Sequence, residues 1–188
     1  MGKTRCTWCG TDPLYVKYHD EEWGVPLYDD ARIFEFLILE TFQAGLSWIT
    51  VLKKRENFRR AFDQFDYRKI AIYDALKYEE LLQDASIIRN KLKIKATISN
   101  ANEFMKIQQE FGSFSSYIWN FTKGKPIINK WKSTDQIPSK TGLSDEISKD
   151  LKKRGFKFVG STVIYAHMQA TGLVNDHLTN CFRYPKLL

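Results

Sequence analysis

Leu151-Lys-Lys-Arg-Gly-Phe-Lys-Phe-Val-Gly-Ser161 joins two helical segments through a short basic turn that contains Gly155 and closes with Gly160. Glycine admits backbone conformations that leave N–H groups exposed, and a new helix is expected to open at Ser161. Amides at a helix N-terminus bind phosphate without reading a base. Lys152, Lys153, Arg154 and Lys157 add positive charge to the turn. The same residues also fit a plain helical corner with solvated lysines.

Outward from this turn, the chain reads as helical on both sides. Upstream, Ser144 stands as a helix cap, with Asp145 and Glu146 in the first turn and Lys149, Lys152 and Lys153 toward the end, favourable to the helix dipole. Downstream, Ser161 to Thr171 is a long helix closed by Gly172. Ala31–Phe42 carries apolar residues at 33, 36 and 37 with more on adjoining faces, so it is largely buried. Trp48–Phe62 is expected to be basic on its exposed side through Lys53, Lys54, Arg55, Arg59 and Arg60. Asp66 caps a short helix, Tyr78–Asp84 forms another, Asn90–Phe111 is the longest, and Phe114–Phe121 is short and aromatic. Lys123–Gly142 reads as a surface connection. No strand alternation, repeat or low-complexity segment stands out. The fold class is all-α, in one domain spanning 1–188 or two small helical lobes.

Lys and Arg outnumber Asp and Glu by 29 to 22, a net charge of +7, which suits a polyanionic partner. No apolar run has the length of a membrane span, and Met1–Gly10 does not read as a signal peptide. Three cysteines without a secretory signal make disulfides unexpected, so a reducing cytoplasm is expected. The expected oligomeric state is a monomer. Trp8, Tyr15, Tyr18, Trp23 and Trp48 crowd the first quarter. They form either a packed aromatic core or a stacking pocket for a flat ring.

Cys6 and His19 near one end, and His177 and Cys181 near the other, make a Cys2His2 set for a single tetrahedral zinc. His177 and Cys181 are spaced to share a face if the segment is helical. A filled shell leaves no place for water, so such a zinc is structural. Core cysteines with satisfied histidines fit the same spacing. Cys9 completes a C-x-x-C with Cys6 and competes as the N-terminal thiol. His167 reads as a helix residue without special chemistry.

The turn at 151–161 resembles the helix-hairpin-helix of DNA base-excision enzymes, although four residues separate its glycines where the commonest form has one. In most glycosylases of that kind the segment after the hairpin reads Val-Asp-Thr-His, and its aspartate is catalytic. Here the segment is Gly172-Leu-Val-Asn-Asp-His177, with Asn175 at that position. Ser161 and Thr162 stand where bifunctional members carry a lysine nucleophile. These departures point one way. Asp12-Pro-Leu-Tyr, Tyr18-His-Asp, Glu22-Trp-Gly, Gln43-Ala-Gly-Leu-Ser-Trp-Ile-Thr-Val-Leu-Lys-Lys-Arg-Glu-Asn57, Leu151–Gly160 and Gly172–His177 occur in order. Along nearly its whole length the chain resembles the bacterial 3-methyladenine DNA glycosylase I family.

That resemblance implies a helix-hairpin-helix fold with zinc held by Cys6, His19, His177 and Cys181. It implies a monofunctional hydrolase that releases 3-methyladenine from alkylated double-stranded DNA in base excision repair. Glu40 falls on the helical face of Ile33, Phe36 and Leu37. It is either a structural glutamate or, as the resemblance implies, the acceptor for the amino group of an extruded adenine. The resemblance adds Tyr18 as a polar partner to the base, and Trp8 and Trp48 would stack on its faces, with Tyr15 and Trp23 in the same aromatic group. Asn175 is a candidate to orient sugar or water. Leu46 is a candidate wedge for the gap in the duplex, or an ordinary loop contact. Lys153, Gly155, Lys157, Gly160 and Ser161 are the candidate DNA contacts. The reading of another class is a zinc-stabilised protein that binds damaged DNA without cleaving it.

Overall fold

Ten successive residues, Ile33 to Phe42, are buried on one helix, α2 (Asp30–Gln43), and the other elements are arranged around it. The computed structural model describes residues 2–43 and 45–184; Met1, Ala44 and 185–188 lie outside the described residues. A 3-10 turn at Thr7–Cys9 precedes α1 (Pro13–Glu21). After α2 come α3 (Trp48–Ala61), α4 (Tyr67–Ile70), α5 (Ala75–Gln83), α6 (Lys91–Phe111) and α7 (Phe114–Asn120). Helices α8 (Gly142–Lys153) and α9 (Ser161–Ala170) flank the basic turn. Among the described residues no helix is long and apolar enough to cross a membrane.

Side-chain caps set many of the helix starts. Asp12 accepts from the Leu14 N–H at the head of α1, with Pro13 in the first helical position. Asp66, Asp74, Asn90 and Ser113 do the same for α4 to α7; such caps are worth about 1 kcal/mol each. Helix α2 packs on α3, α6, α7 and α9. Around it lie two aromatic groups. Phe34, Tyr67, Phe104 and Phe114 form one, with the last two stacked at 4.2 Å. Phe42, Phe58, Phe62 and Phe65 form the other.

The helical expectation is met in outline, and four details differ. Thr141, not Ser144, is the cap of α8. The Thr141 hydroxyl accepts from the Ser144 N–H, and Ser144 Oγ accepts from the Thr141 N–H at 2.8 Å, so the helix begins at Gly142. Tyr78 lies inside α5, which starts three residues earlier behind its Asp74 cap. The connection after α7 contains strand β1 (Ile127–Ile128), which pairs in parallel with β2 (Val174–Asn175). Two residues are too few to show strand alternation in sequence. Finally, Arg55 is not on an exposed basic face. It is buried and bonds Glu35 at 2.6 Å and Glu22 at 2.8 Å, tying α3 to α2 and to the end of α1.

One glycine is fixed by close approach. Gly172 has φ +71°, and a Cβ there would lie 2.3 Å from the Val25 carbonyl carbon. Gly24 N–H donates to Gln169 O at 2.8 Å and Leu27 N–H to Thr171 O at 3.0 Å. The end of α9 is thereby stitched to the loop after α1, which delivers β2 and His177 beside the N-terminal segment.

Candidate functional site

Cys6, His19, His177 and Cys181 meet in the interior, with one ligand atom of each within 4.8 Å of all the others. His177 Nδ1 lies 3.6 Å from Cys6 Sγ and 3.5 Å from Cys181 Sγ, and His19 Nε2 lies 3.5 Å from Cys181 Sγ. A tetrahedral ion with metal–sulfur and metal–nitrogen bonds of ~2.3 and ~2.05 Å separates S and N ligands by about 3.5 Å. The four side chains can therefore hold one metal ion with little rearrangement. The free ring nitrogens are oriented as such ligands require. His19 Nδ1 is 2.8 Å from Asp20, and His177 Nε2 is 3.0 Å from the Trp23 carbonyl. Asp20 is in turn held by Arg5, which keeps its carboxyl low, at about 2. Hydrogen bonding from Cys6, then from His177 and His19, pulls the Cys181 thiol down and favours thiolate. Cys9 stays outside the cluster, its thiol donating to the Cys6 carbonyl at 3.2 Å. His177 and Leu178 are irregular and a turn at Thr179–Asn180 leads to Cys181, so the segment is not the helical face that the spacing suggested. Asn175 Oδ1 accepts from the His177 N–H at 3.1 Å and bends the chain there.

The cluster adjoins an aromatic cavity of about 280 Å³ lined by Trp8, Tyr15, Tyr18, Trp23, Glu40 and Trp48. The Trp8 ring lies 4.8 Å from Trp23 and 5.1 Å from Tyr15, and Tyr18 lies 5.4 Å from Trp48. Tyr15 and Tyr18 come from one face of α1, Trp48 from the first turn of α3, and Glu40 from α2. Trp23 packs edge-on against His177 at 4.7 Å, and Trp8 against His19 at 5.3 Å. One wall of the cavity is thus braced by the ligand cluster.

Glu40 is 3 % exposed, and no hydrogen-bond donor or cation among the described residues meets its carboxylate. Burial alone pushes its pKa from 4.5 up to about 8. Burial, with Glu40 nearby, holds Tyr18 well above 10, so its hydroxyl remains a donor. An unpaired buried carboxyl is costly unless a ligand satisfies it. The indole N–H groups of Trp8 and Trp48 are likewise buried without an acceptor.

Sequence reading missed several lining residues: Gln43, Thr134, Ile137, Ala166 and Gln169. Thr134 and Ile137 come from the connection before α8, and Thr134 is joined to Thr7 at 3.0 Å. Neither residue carried a signal in sequence, because the connection has no periodicity. Gln169 Nε2 donates to Asp176, which also takes hydrogen bonds from Asn129, Trp131 and Tyr165. Four donors saturate this buried carboxylate, so it is not a free base. Asn175 lies outside the cavity lining, and its Nδ2 is buried without an acceptor. His167 is buried between α9 and α2, its Nε2 on the Ile33 carbonyl at 3.2 Å, and burial lowers its pKa to about 4.

At the basic turn, the first N–H groups of α9 follow Gly160, which supplies no side-chain cap. Gly155 has φ +104°, but Gly160 has an ordinary φ of −63°; Phe158, at +58°, takes the second left-handed position. The second bend of the turn therefore lies at Lys157 and Phe158, before Gly160. Lys153 and Lys157 are exposed. Arg154 is not available, because Glu110 and Asp150 bind it. Leu46, 42 % exposed, sits beside the cavity, where its N–H donates to the carbonyl of the lining residue Gln43 at 2.7 Å.

Residues 8–184 match the methyladenine glycosylase family. The chain is 51% identical to DNA-3-methyladenine glycosylase 1 of Escherichia coli (strain K12), over 96% of this chain and 97% of that protein. A crystal structure of 3-methyladenine DNA glycosylase I superposes with a TM-score of 0.94 at 53% identity, covering 97% of this chain and all of the other. A single-residue variant of 3-methyladenine DNA glycosylase I, in complex with 3-methyladenine, gives the same TM-score at 36% identity, covering 98% of this chain and 99% of the other.

Proposed function

The chain belongs to the methyladenine glycosylase family, and from that premise we propose that it is a monofunctional DNA N-glycosylase hydrolysing the N-glycosidic bond of 3-methyladenine in alkylated duplex DNA. The observation that carries the reading is Glu40, an unpartnered buried carboxyl set in an aromatic cavity. A protein that only docks on the DNA backbone has no use for such a group, which argues against the non-enzymatic reading. The direct test is incubation with methylated DNA and identification of the released base. Failure to release 3-methyladenine overturns the assignment.

Methylation at N3 makes the base cationic. Trp8 and Trp48 stack on its faces, adding a cation–π contribution of about 0.5–2 kcal/mol over neutral adenine. Glu40 accepts from the exocyclic amino group and, ionised, faces the positive ring; Tyr18 adds a polar contact, and Tyr15 and Trp23 complete the walls. Departure of the base carries away the C1′–N9 electron pair and neutralises it. No strong general acid is needed, which accommodates Asn175 in place of an aspartate. Water adds to the electron-deficient sugar carbon and gives up its proton to solvent; Asn175, buried outside the cavity lining, acts only by shaping the backbone before His177, from whose N–H it accepts. Extrusion of the nucleotide precedes all of this, with Leu46 filling the gap it leaves.

The fold is read as helix-hairpin-helix, with the amides after Gly160 and Ser161 docking on phosphate beside Lys153 and Lys157 and with Gly155 shaping the turn. Removing the Lys157 charge should weaken binding to all duplexes alike and lower the salt slope by about 0.9, one phosphate contact. Unchanged affinity and slope in Lys157→Ala would show that the hairpin is not the docking element. With Ser161 and Thr162 where a lysine nucleophile would stand, the product strand should stay intact at the abasic site. Borohydride trapping of a covalent enzyme–DNA adduct would instead reveal an attacking amine. The ion assigned to Cys6, His19, His177 and Cys181 is zinc, which supplies a closed, structural cross-link and no catalytic water.

A further inference from the structure

We propose that the DNA-docking surface extends beyond the hairpin onto the first turns of α6, where Phe158 and Leu92 pack on deoxyribose and Lys157 and Lys95 pair with phosphates. The inference rests on the glycosylase reading and deepens it. Leu92 is 68 % exposed and Phe158 41 % exposed. Together with Lys95, Ala96, Ser99 and Lys157 they line one shallow groove.

Phe158 is held at φ +58°. Glycine adopts that conformation without strain, whereas an aromatic residue pays a steric penalty. Strain of this kind is retained where a side chain has work to do, and this ring is not recruited to the core. The hairpin tip is also fixed from α6. Asn100, fully buried, accepts from the Lys157 N–H at 2.8 Å and donates to the Lys157 carbonyl at 3.0 Å. This two-point clamp couples the tip rigidly to α6, so Phe158 and Leu92 present one surface.

The composition of the groove identifies its occupant. Lys91, Lys95 and Lys157 are exposed, and among the described residues neither Lys95 nor Lys157 forms an ion pair. Apolar side chains set between unpaired ammonium groups match the sugar-phosphate backbone, which alternates C–H surface with charge. A partner protein using this groove would have to bring acidic groups to both lysines, and a purely apolar ligand would leave them unmet.

The test measures binding to undamaged duplex and to duplex carrying an abasic-site analogue, across a salt series. Lys95→Ala should reduce both affinities by about threefold or more and lower the salt slope by about 0.9. Phe158→Asn keeps a residue tolerant of the left-handed backbone. It should lose about tenfold in duplex affinity, as expected for a large apolar contact, with no loss of thermal stability. Phe158→Gly should behave in the same way. Leu92→Ser should weaken duplex binding in the same direction. Binding of free 3-methyladenine and the metal content should stay at wild-type levels in all of them. If Lys157→Ala weakens duplex binding while Lys95→Ala, Leu92→Ser and Phe158→Asn do not, the extended surface is refuted and the glycosylase reading stands. If wild-type protein binds no duplex and releases no base, both fall.

Discussion

Glu40→Gln should lower excision of 3-methyladenine by about ten- to a hundredfold, the loss of a buried charged hydrogen bond worth about 1.5–3 kcal/mol. The substitution keeps the shape, removes the charge, and turns part of an acceptor into a donor that opposes the amino group of the base. The pH dependence sharpens the test. Burial raises the Glu40 pKa to about 8, so the carboxyl of the empty cavity holds its proton at neutral pH. A cation stacked beside it favours the ionised form, so base binding expels that proton. Wild-type kcat/KM should therefore rise with pH toward 8 and then level, while Glu40→Gln should lack this limb. Stability moves in the opposite direction. The folded pKa lies above the unfolded one, so the stability that Glu40 contributes is full below about 4.3. It is lost as pH rises through about 8. Gln carries no such penalty, so the variant should gain stability relative to wild type as the medium becomes alkaline. A drop in excision at pH 8 then cannot be assigned to unfolding. Wild-type excision by a folded Glu40→Gln protein would remove Glu40 from the mechanism and leave aromatic stacking as the source of selectivity.

The inward face of α2 was legible because helical periodicity places Glu40 with Ile33, Phe36 and Leu37, and all four are buried. The helices were legible where a capping residue met an apolar repeat, as at Asp66 and Asn90. What escaped depends on contacts between distant segments. Arg55 looks like surface charge in sequence, and only Glu22 and Glu35, brought in from α1 and α2, make its burial tolerable. Asp176 sits beside Asn175 in the same motif, yet its four donors come from two distant parts of the chain, the connection after α7 and helix α9. Thr134 and Ile137 line the cavity from an irregular connection, where no periodicity exists to be read. Phe158 escaped because backbone strain leaves no mark on composition; Gly160 drew attention instead, although its φ is ordinary.

Removal of the metal should cost more stability than loss of any single contact, and its signature should be a dependence on free zinc. An ion that binds only the folded chain stabilises it by RT ln(1 + [L]/Kd). Each tenfold rise in free zinc above Kd then adds about 1.4 kcal/mol, or about 3–6 °C in Tm for a chain of this size. A cluster of core cysteines and satisfied histidines would give no slope at all. Cys6→Ser, His19→Ala, His177→Ala and Cys181→Ser should each flatten the slope and lower the bound metal from one ion per chain. Cys9→Ser should change neither, because its thiol is occupied with the Cys6 carbonyl. The aromatic core around α2 does not depend on the ion, so the apo protein should remain largely helical. The cavity wall should not survive as well: Trp23 leans on His177 and Trp8 on His19, and the N-terminal 3-10 turn that carries Trp8 is tied to the C-terminal segment through Cys6. Apo protein below its Tm should therefore bind free 3-methyladenine more weakly while its binding to undamaged duplex, carried by the hairpin, changes little. Purified protein without stoichiometric zinc, or a Cys6→Ser variant with unaltered zinc content, would defeat the assignment.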